Sequence, residues 1–238
     1  MKKLLFVATA SLCATVFGAI ESSNVVGYQT KDIDAGFAVI TPTFLDVGAA
    51  NVDIANLKLV DAIGDGGSEQ IQILTSGGAN IESWVWITTD QGVEADGWYD
   101  INSWEPISHK VMPGEGFLIN TQGGVKMSVA GQVKAGKTTL TLPAGFTTAG
   151  NSTPTGIDIQ KIKIVGGLGD GGSEQIQILT PGGVNNETWV WITTDQGVEA
   201  DGWYDINSWD LIEYTVPAGS AFLFNTQTDC TLEIPAAL

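Results

Sequence analysis

The chain has no arginine, one histidine (His109) and two cysteines (Cys13 and Cys230) among 238 residues. Each shortage excludes a class of chemistry. Without arginine there is no planar, bidentate clamp for phosphate or carboxylate ligands. Ten lysines against 27 acids, a net charge of −17, leave little to neutralise a phosphate backbone, which excludes nucleic acid as a partner. One histidine and two cysteines fall short of the usual zinc set, and a Ser-His-Asp arrangement would rest on a single residue. Long apolar runs are scarce too. Past the first 20 residues nothing approaches the roughly 18 apolar residues of a membrane span.

The one long apolar run, Leu4 to Phe17, follows Lys2 and Lys3 and ends at Gly18 and Ala19 ahead of Glu21. That is the pattern of a secretory signal peptide over residues 1–19. It predicts an exported protein, extracellular, at the cell surface or periplasmic, with no membrane span after cleavage. Cleavage would leave eight lysines against 27 acids, a charge of −19, and Cys230 as the only thiol. An intrachain disulfide is then impossible, and stability must come from packed core.

What is present is a duplication. Residues 64–122 recur at 169–227 without insertion or deletion, at an offset of 105. Within that span Gly64 to Thr75 (GDGGSEQIQILT) and Trp84 to Trp104 (WVWITTDQGVEADGWYDINSW) are repeated letter for letter. A site built from these blocks exists twice, and a residue found in one copy is a weak candidate: His109 is matched by Tyr214. Each unit has a normal size for one domain. The expected division is 20–130 for repeat one and 131–238 for repeat two, in contact because no flexible linker separates them.

The apolar pattern is mostly of period two: Ile71 and Ile73, Leu140 and Leu142, and Val125, Met127 and Val129. Gly, Asp, Asn and Pro punctuate it at Gly64 to Gly67, Ser76 to Asn80, Pro113 to Gly116 and Pro181 to Gly183. The expectation is an all-β chain of two tandem homologous domains, each a β-sandwich or small barrel. The only helical hint is one turn after Asp53, repeated after Asp158, where the aspartate can act as N-cap. Cys230, Leu232 and Ile234 align with Val125, Met127 and Val129, which places the thiol on the inward face of a strand.

Four further signatures carry a resemblance: Asn24 to Tyr28 (NVVGY), Leu142 to Phe146 (LPAGF) followed by Asn151, Gly202 to Asp205 (GWYD), and Pro113 to Phe117 (PGEGF). Together they resemble a group of exported, tandem-repeat bacterial β-proteins that mostly lack an assigned function. The resemblance implies export and β-architecture and supplies no catalytic residues. Repeat one departs from it at Asp34 to Phe37, and repeat two replaces PGEGF with Pro217 to Phe222.

Gly167 to Gly172 (GLGDGG) matches a dinucleotide fingerprint, but the alternating segment Glu174 to Thr180 follows where that site needs a helix. A glycine hairpin turn is the better reading. The acidic loop Asp90 to Asp100 recurs as Asp195 to Asp205. Its Asp90, Glu94 and Asp96, and likewise Asp195, Glu199 and Asp201, are candidate calcium ligands, although the spacing departs from the EF-hand. No other cofactor is expected.

All eight tryptophans lie in the duplicated blocks: Trp84, Trp86, Trp98 and Trp104, then Trp189, Trp191, Trp203 and Trp209. Trp84 and Trp86 share one face of a strand while Val85 and Ile87 occupy the other. A strand apolar on both faces is either covered on both sides or displays one; if Val85 and Ile87 face the core, the indoles form either a sugar-stacking platform or a patch covered by the loop carrying Trp98 and Trp104, and large indoles favour the covered arrangement. Asp96, Asp100 and Asn102, with Asp201, Asp205 and Asn207 in repeat two, would bond sugar hydroxyls. The leading expectation is therefore a non-enzymatic exported interaction protein, its partners glycans or other surface proteins. Alternatives are a self-assembling subunit that pairs its N-terminal strand, Asn24 to Thr30, with a neighbour, and a carbohydrate-active enzyme that uses loop carboxylates.

Overall fold

The computed structural model describes residues 26–74, 81–179 and 185–237. The expected signal peptide, Asn24 and Val25, and the turn candidates Ser76 to Asn80 and Pro181 to Gly183 lie outside the described residues.

Among the described residues, repeat one contributes ten strands: β1 (Val26–Ile33), β2 (Gly36–Ile40), β3 (Val52–Asp53), β4 (Lys58–Val60), β5 (Asp65–Leu74), β6 (Ile81–Ile87), β7 (Gly97–Asp100), β8 (Lys110–Val111), β9 (Phe117–Thr121) and β10 (Val125–Gln132). Repeat two contributes β11 (Thr138–Leu142), β12 (Gly145–Gly150), β13 (Ile157–Asp158), β14 (Lys163–Val165), β15 (Asp170–Leu179), β16 (Asn185–Ile192), β17 (Gly202–Asp205), β18 (Thr215–Val216), β19 (Ala221–Thr226) and β20 (Cys230–Ile234). The chain is all-β.

The sheets come in matched pairs. A five-stranded sheet runs β2-β9-β5-β6-β7 in repeat one and β12-β19-β15-β16-β17 in repeat two. A three-stranded sheet runs β1-β10-β4 and again β11-β20-β14, and the short pairs β3-β8 and β13-β18 complete each set. In repeat one the large and small sheets share one core: Ile71, Trp84, Trp86, Trp98 and Ile119 from the large sheet meet Ile33, Leu59, Val125, Met127 and Val129 from the small one. Repeat two builds a separate, equivalent core. Two sheets around one core make each repeat sandwich-like.

Alternation explains the small sheet directly, since Val125, Met127 and Val129 point inward and Lys126 and Ala130 outward. Strand β10 pairs with β1 as far as Gln132, straddling the expected boundary at 130/131. Asp53 and Asp158 cap single 3-10 turns, as their sequence context suggests, accepting from the backbone N–H of Ala55 and Gln160. Two more 3-10 turns, Thr89–Gln91 and Thr194–Gln196, lie inside the acidic loops, where no apolar periodicity announces them.

Two glycine-rich readings are corrected. Gly64 to Gly67 is no simple turn, because β5 begins at Asp65 and carries a bulge between Asp65 and Gln70. Asp65 Oδ1 accepts from the N–H of Gly67 and of Ser68, at 2.9 and 2.7 Å, and the bulge buries Ser68 and Glu69 in succession. Gly167 to Gly172 is not a hairpin either. It links β14 in the small sheet to β15 in the large one, so it crosses between sheets.

The repeats meet across a pseudo-twofold axis. Thr41 N–H donates to Gly219 O at 3.1 Å, and the equivalent Gly150 N–H donates to Gly114 O at 2.9 Å. Ile40 bridges Ser220, and the equivalent Ala149 bridges Glu115. Reciprocal contacts of this kind define an isologous interface. Gly116 and its own counterpart Ala221 face each other there: a β-carbon on Gly116 would lie 3.1 Å from that of Ala221.

Candidate functional site

Six of the eight indoles are core. Trp84, Trp86 and Trp98, with Trp189, Trp191 and Trp203, are all below 10% exposed. The covered alternative therefore holds for these six, with the core between the sheets as the cover. The tryptophan face of β6 looks into the main core, while Val85 and Ile87 form a small second cluster with Tyr99, beneath Val93 of the acidic loop. The physical reason is volume: only the gap between two sheets accommodates three indoles, whereas one loop covers two aliphatic side chains. Trp86 and Trp98 meet edge to face at 5.3 Å, and so do Trp191 and Trp203. In each repeat the deepest indole N–H is bonded to the backbone, Trp98 Nε1 donating to Leu57 O at 3.0 Å and Trp203 Nε1 to Ile162 O at 2.7 Å. Rings enclosed in this way offer no stacking face.

The remaining pair is different. Trp104 is 49% exposed and Trp209 54%. Both hold the left-handed backbone conformation, at φ 59° and 62°. For a bulky non-glycine residue that conformation is strained. At another left-handed position repeat one has Asp61 and repeat two has Gly166, so the strain is relieved in one copy. At 104 and 209 neither copy relieves it.

The loop beneath imposes this geometry. Asp100 Oδ1 accepts from the N–H of Asn102 and Ser103, at 2.9 and 2.8 Å, while Trp104 N–H returns to Asp100 O at 3.0 Å. Asp205 repeats the pattern with Asn207, Ser208 and Trp209. Each indole then rests on a glycine. A β-carbon at Gly66 would lie 3.6 Å from the Trp104 ring, and one at Gly171 would lie 3.1 Å from that of Trp209, with Ile87 and Ile192 alongside. Trp104 borders a cleft of about 480 Å³ with Gln91, Val93, Glu94, Tyr99 and Glu105. The ring thus has one supported edge and a large free surface beside polar groups of neutral or negative charge.

Two acids of each loop serve the fold. Asp96 Oδ1 caps the turn at Thr89 N–H, and Asp201 Oδ1 does so at Thr194 N–H, each at 2.7 Å. Asp90, Glu94 and Asp96 do not gather with one another, nor do Asp195, Glu199 and Asp201; among the described residues no three acidic, histidine or cysteine side chains converge as a metal site would require. Asp100 and Asp205, together with the backbone of Asn102 and Asn207, belong to the turns that hold Trp104 and Trp209, so they stay with the site as supports.

Two fully buried carboxylates carry no warning in the alternation. Glu69 accepts from Ile63 N–H at 2.8 Å and Gly64 N–H at 2.9 Å, and Glu174 accepts from Leu168 and Gly169 at the same distances. Each stitches the inter-sheet connection to the bulged strand. Compared with protein-family models, curated proteins and solved structures, the chain matches none.

Proposed function

We propose that this protein is an exported, non-enzymatic interaction protein that binds uncharged glycans at two equivalent surfaces, Trp104 and Trp209. One observation carries the reading: two half-exposed indoles sit in a strained backbone conformation in both repeats. Hydrophobic burial does not account for that placement, and stacking on a sugar ring does. The absence of arginine and the net charge of −17 favour a neutral ligand over an anionic one. Asp96, Asp100, Asp201 and Asp205 are occupied as backbone acceptors, which favours binding over hydrolysis. Two weak sites on one chain gain avidity on a polymeric glycan.

A glycan array probed with the wild type and with Trp104→Ala/Trp209→Ala tests this. The wild type should retain a set of neutral glycans that the double variant loses, with both proteins melting within a few degrees of each other. Equal retention by the two proteins overturns it.

A second reading, self-assembly through β1, is favoured by that strand's place at the outside of its sheet with Val26 and Tyr28 exposed. Sedimentation that depends on concentration, and that Tyr28→Lys abolishes, is its signature.

A further inference from the structure

The pseudo-twofold junction creates two clefts at equivalent positions with different chemistry. The smaller, about 230 Å³, is walled by Lys31, Asp32 and Asp34 beside Tyr214. Lys31 Nζ is held there by Ser220 Oγ at 3.0 Å and Ala218 O at 3.3 Å. In the larger, about 500 Å³, Leu140, Thr141 and Pro143 stand where the smaller has Lys31, Asp32 and Asp34, and Thr147 stands where it has Ala38. Ile73, Val111 and Met112 from repeat one complete an aliphatic wall. A volume of this size lies within the range of small-molecule sites, about 300–1,000 Å³.

One polar atom in that wall is unspent. Thr147 Oγ1 is buried and hydrogen-bonds nothing among the described residues, whereas its neighbour Thr148 donates to Gly116 O at 2.6 Å. A buried hydroxyl without a partner is costly to leave unmet. Rotation of χ1 between staggered wells swings it along the wall of the cleft, where an acceptor on a bound molecule would satisfy it. His109, packed against Trp84 at 4.8 Å, closes one side, and Glu115 stands at another. Lys110, the only lysine among the described residues lining the cleft, has its Nζ tied to Asp53 at 2.7 Å, which leaves no free ammonium there for an anionic ligand.

We propose that this larger inter-repeat cleft binds a small uncharged molecule with an apolar body and a carbonyl-type acceptor, the acceptor taking the Thr147 hydroxyl proton as a hydrogen bond. The site is separate from the Trp104 and Trp209 surfaces.

Nile red, uncharged and apolar with one ring carbonyl, is a suitable probe. It is titrated against the full chain carrying Trp104→Ala/Trp209→Ala, so that stacking on the exposed indoles contributes nothing. The expected result is saturable binding at one site per chain with blue-shifted emission. In that background Leu140→Trp should fill the cleft and weaken binding at least tenfold. Thr147→Val, which keeps the shape and removes the hydroxyl, should weaken it several-fold while leaving the melting temperature unchanged or raised. That combination separates a ligand-facing hydroxyl from a structural one, and it stands even if Leu140→Trp fails to fold. Non-saturable binding, or affinity indifferent to Thr147→Val, overturns the proposal.

Discussion

Cys230 sits on β20 facing the repeat-two core, where burial first, then the nearby carboxylates of Glu174 and Asp229, pushes its thiol up to about 11. At neutral pH it is a small apolar side chain. A thiol reagent should label it only on unfolding, and Cys230→Val should change stability by less than about 1 kcal/mol; rapid labelling of the folded protein contradicts this. Tryptophans divide the same way at this scale. Trp86→Ala should cost about 3–5 kcal/mol in a denaturant melt, while Trp104→Ala should stay within about 1 kcal/mol of neutral, since it removes an exposed ring from a strained backbone. The sequence showed that Trp84 and Trp86 share a face but not which face was core, because Val85 and Ile87 are equally apolar. Only the relative depth of the two covers decides that, and it is a tertiary property. Trp104 was legible as a candidate. Its left-handed backbone was not, because tryptophan is among the last residues that pattern suggests.

At the scale of elements, the bulged strand and the tight loops rest on acceptor-only side chains. Glu69 receives two backbone N–H groups, and glutamine, with one oxygen and an amide N–H₂, cannot accept both without opposing a donor to a donor. Glu69→Gln should therefore cost about 1–3 kcal/mol despite its near-identical shape, measured by thermal or urea unfolding; a neutral result contradicts the assigned bonds. Asp65 and Asp170 are held below the usual carboxylate range first by the N–H of Gly67 and of Gly172, and Asp100 and Asp205 by the N–H of Ser103 and of Ser208. A depressed folded-state value means the stabilisation is complete above the unfolded value, about 4, and is lost as pH falls through the folded one. Melting temperature should hold level from neutral pH to about pH 4 and decline below it, and Asp65→Asn/Asp170→Asn should flatten that decline. Alternation revealed β5, β10, β11 and β20 because each has one buried face. It missed the bulge, where Ser68 and Glu69 are buried consecutively, since period two fails wherever a strand gains a residue.

Across the whole molecule, duplication was visible as an exact offset, but the twofold packing was not, since the contacts between Thr41 and Gly219 and between Gly150 and Gly114 are main-chain bonds. Gly116 faces its counterpart Ala221 across the axis, and a β-carbon there would lie 3.1 Å from that of Ala221. Gly116→Leu should lower stability by about 1–3 kcal/mol by forcing the repeats apart, a cost typical of overpacking. The larger consequence is a division of labour among the aromatics: each repeat commits three indoles to its core and presents one. Acrylamide quenching of tryptophan fluorescence tests that division most directly. Two indoles, Trp104 and Trp209, should quench readily, and Trp104→Phe/Trp209→Phe should abolish the accessible component while the other six stay protected until the chain unfolds. An accessible component that survives in this variant and disappears in Trp84→Phe/Trp189→Phe would contradict the account.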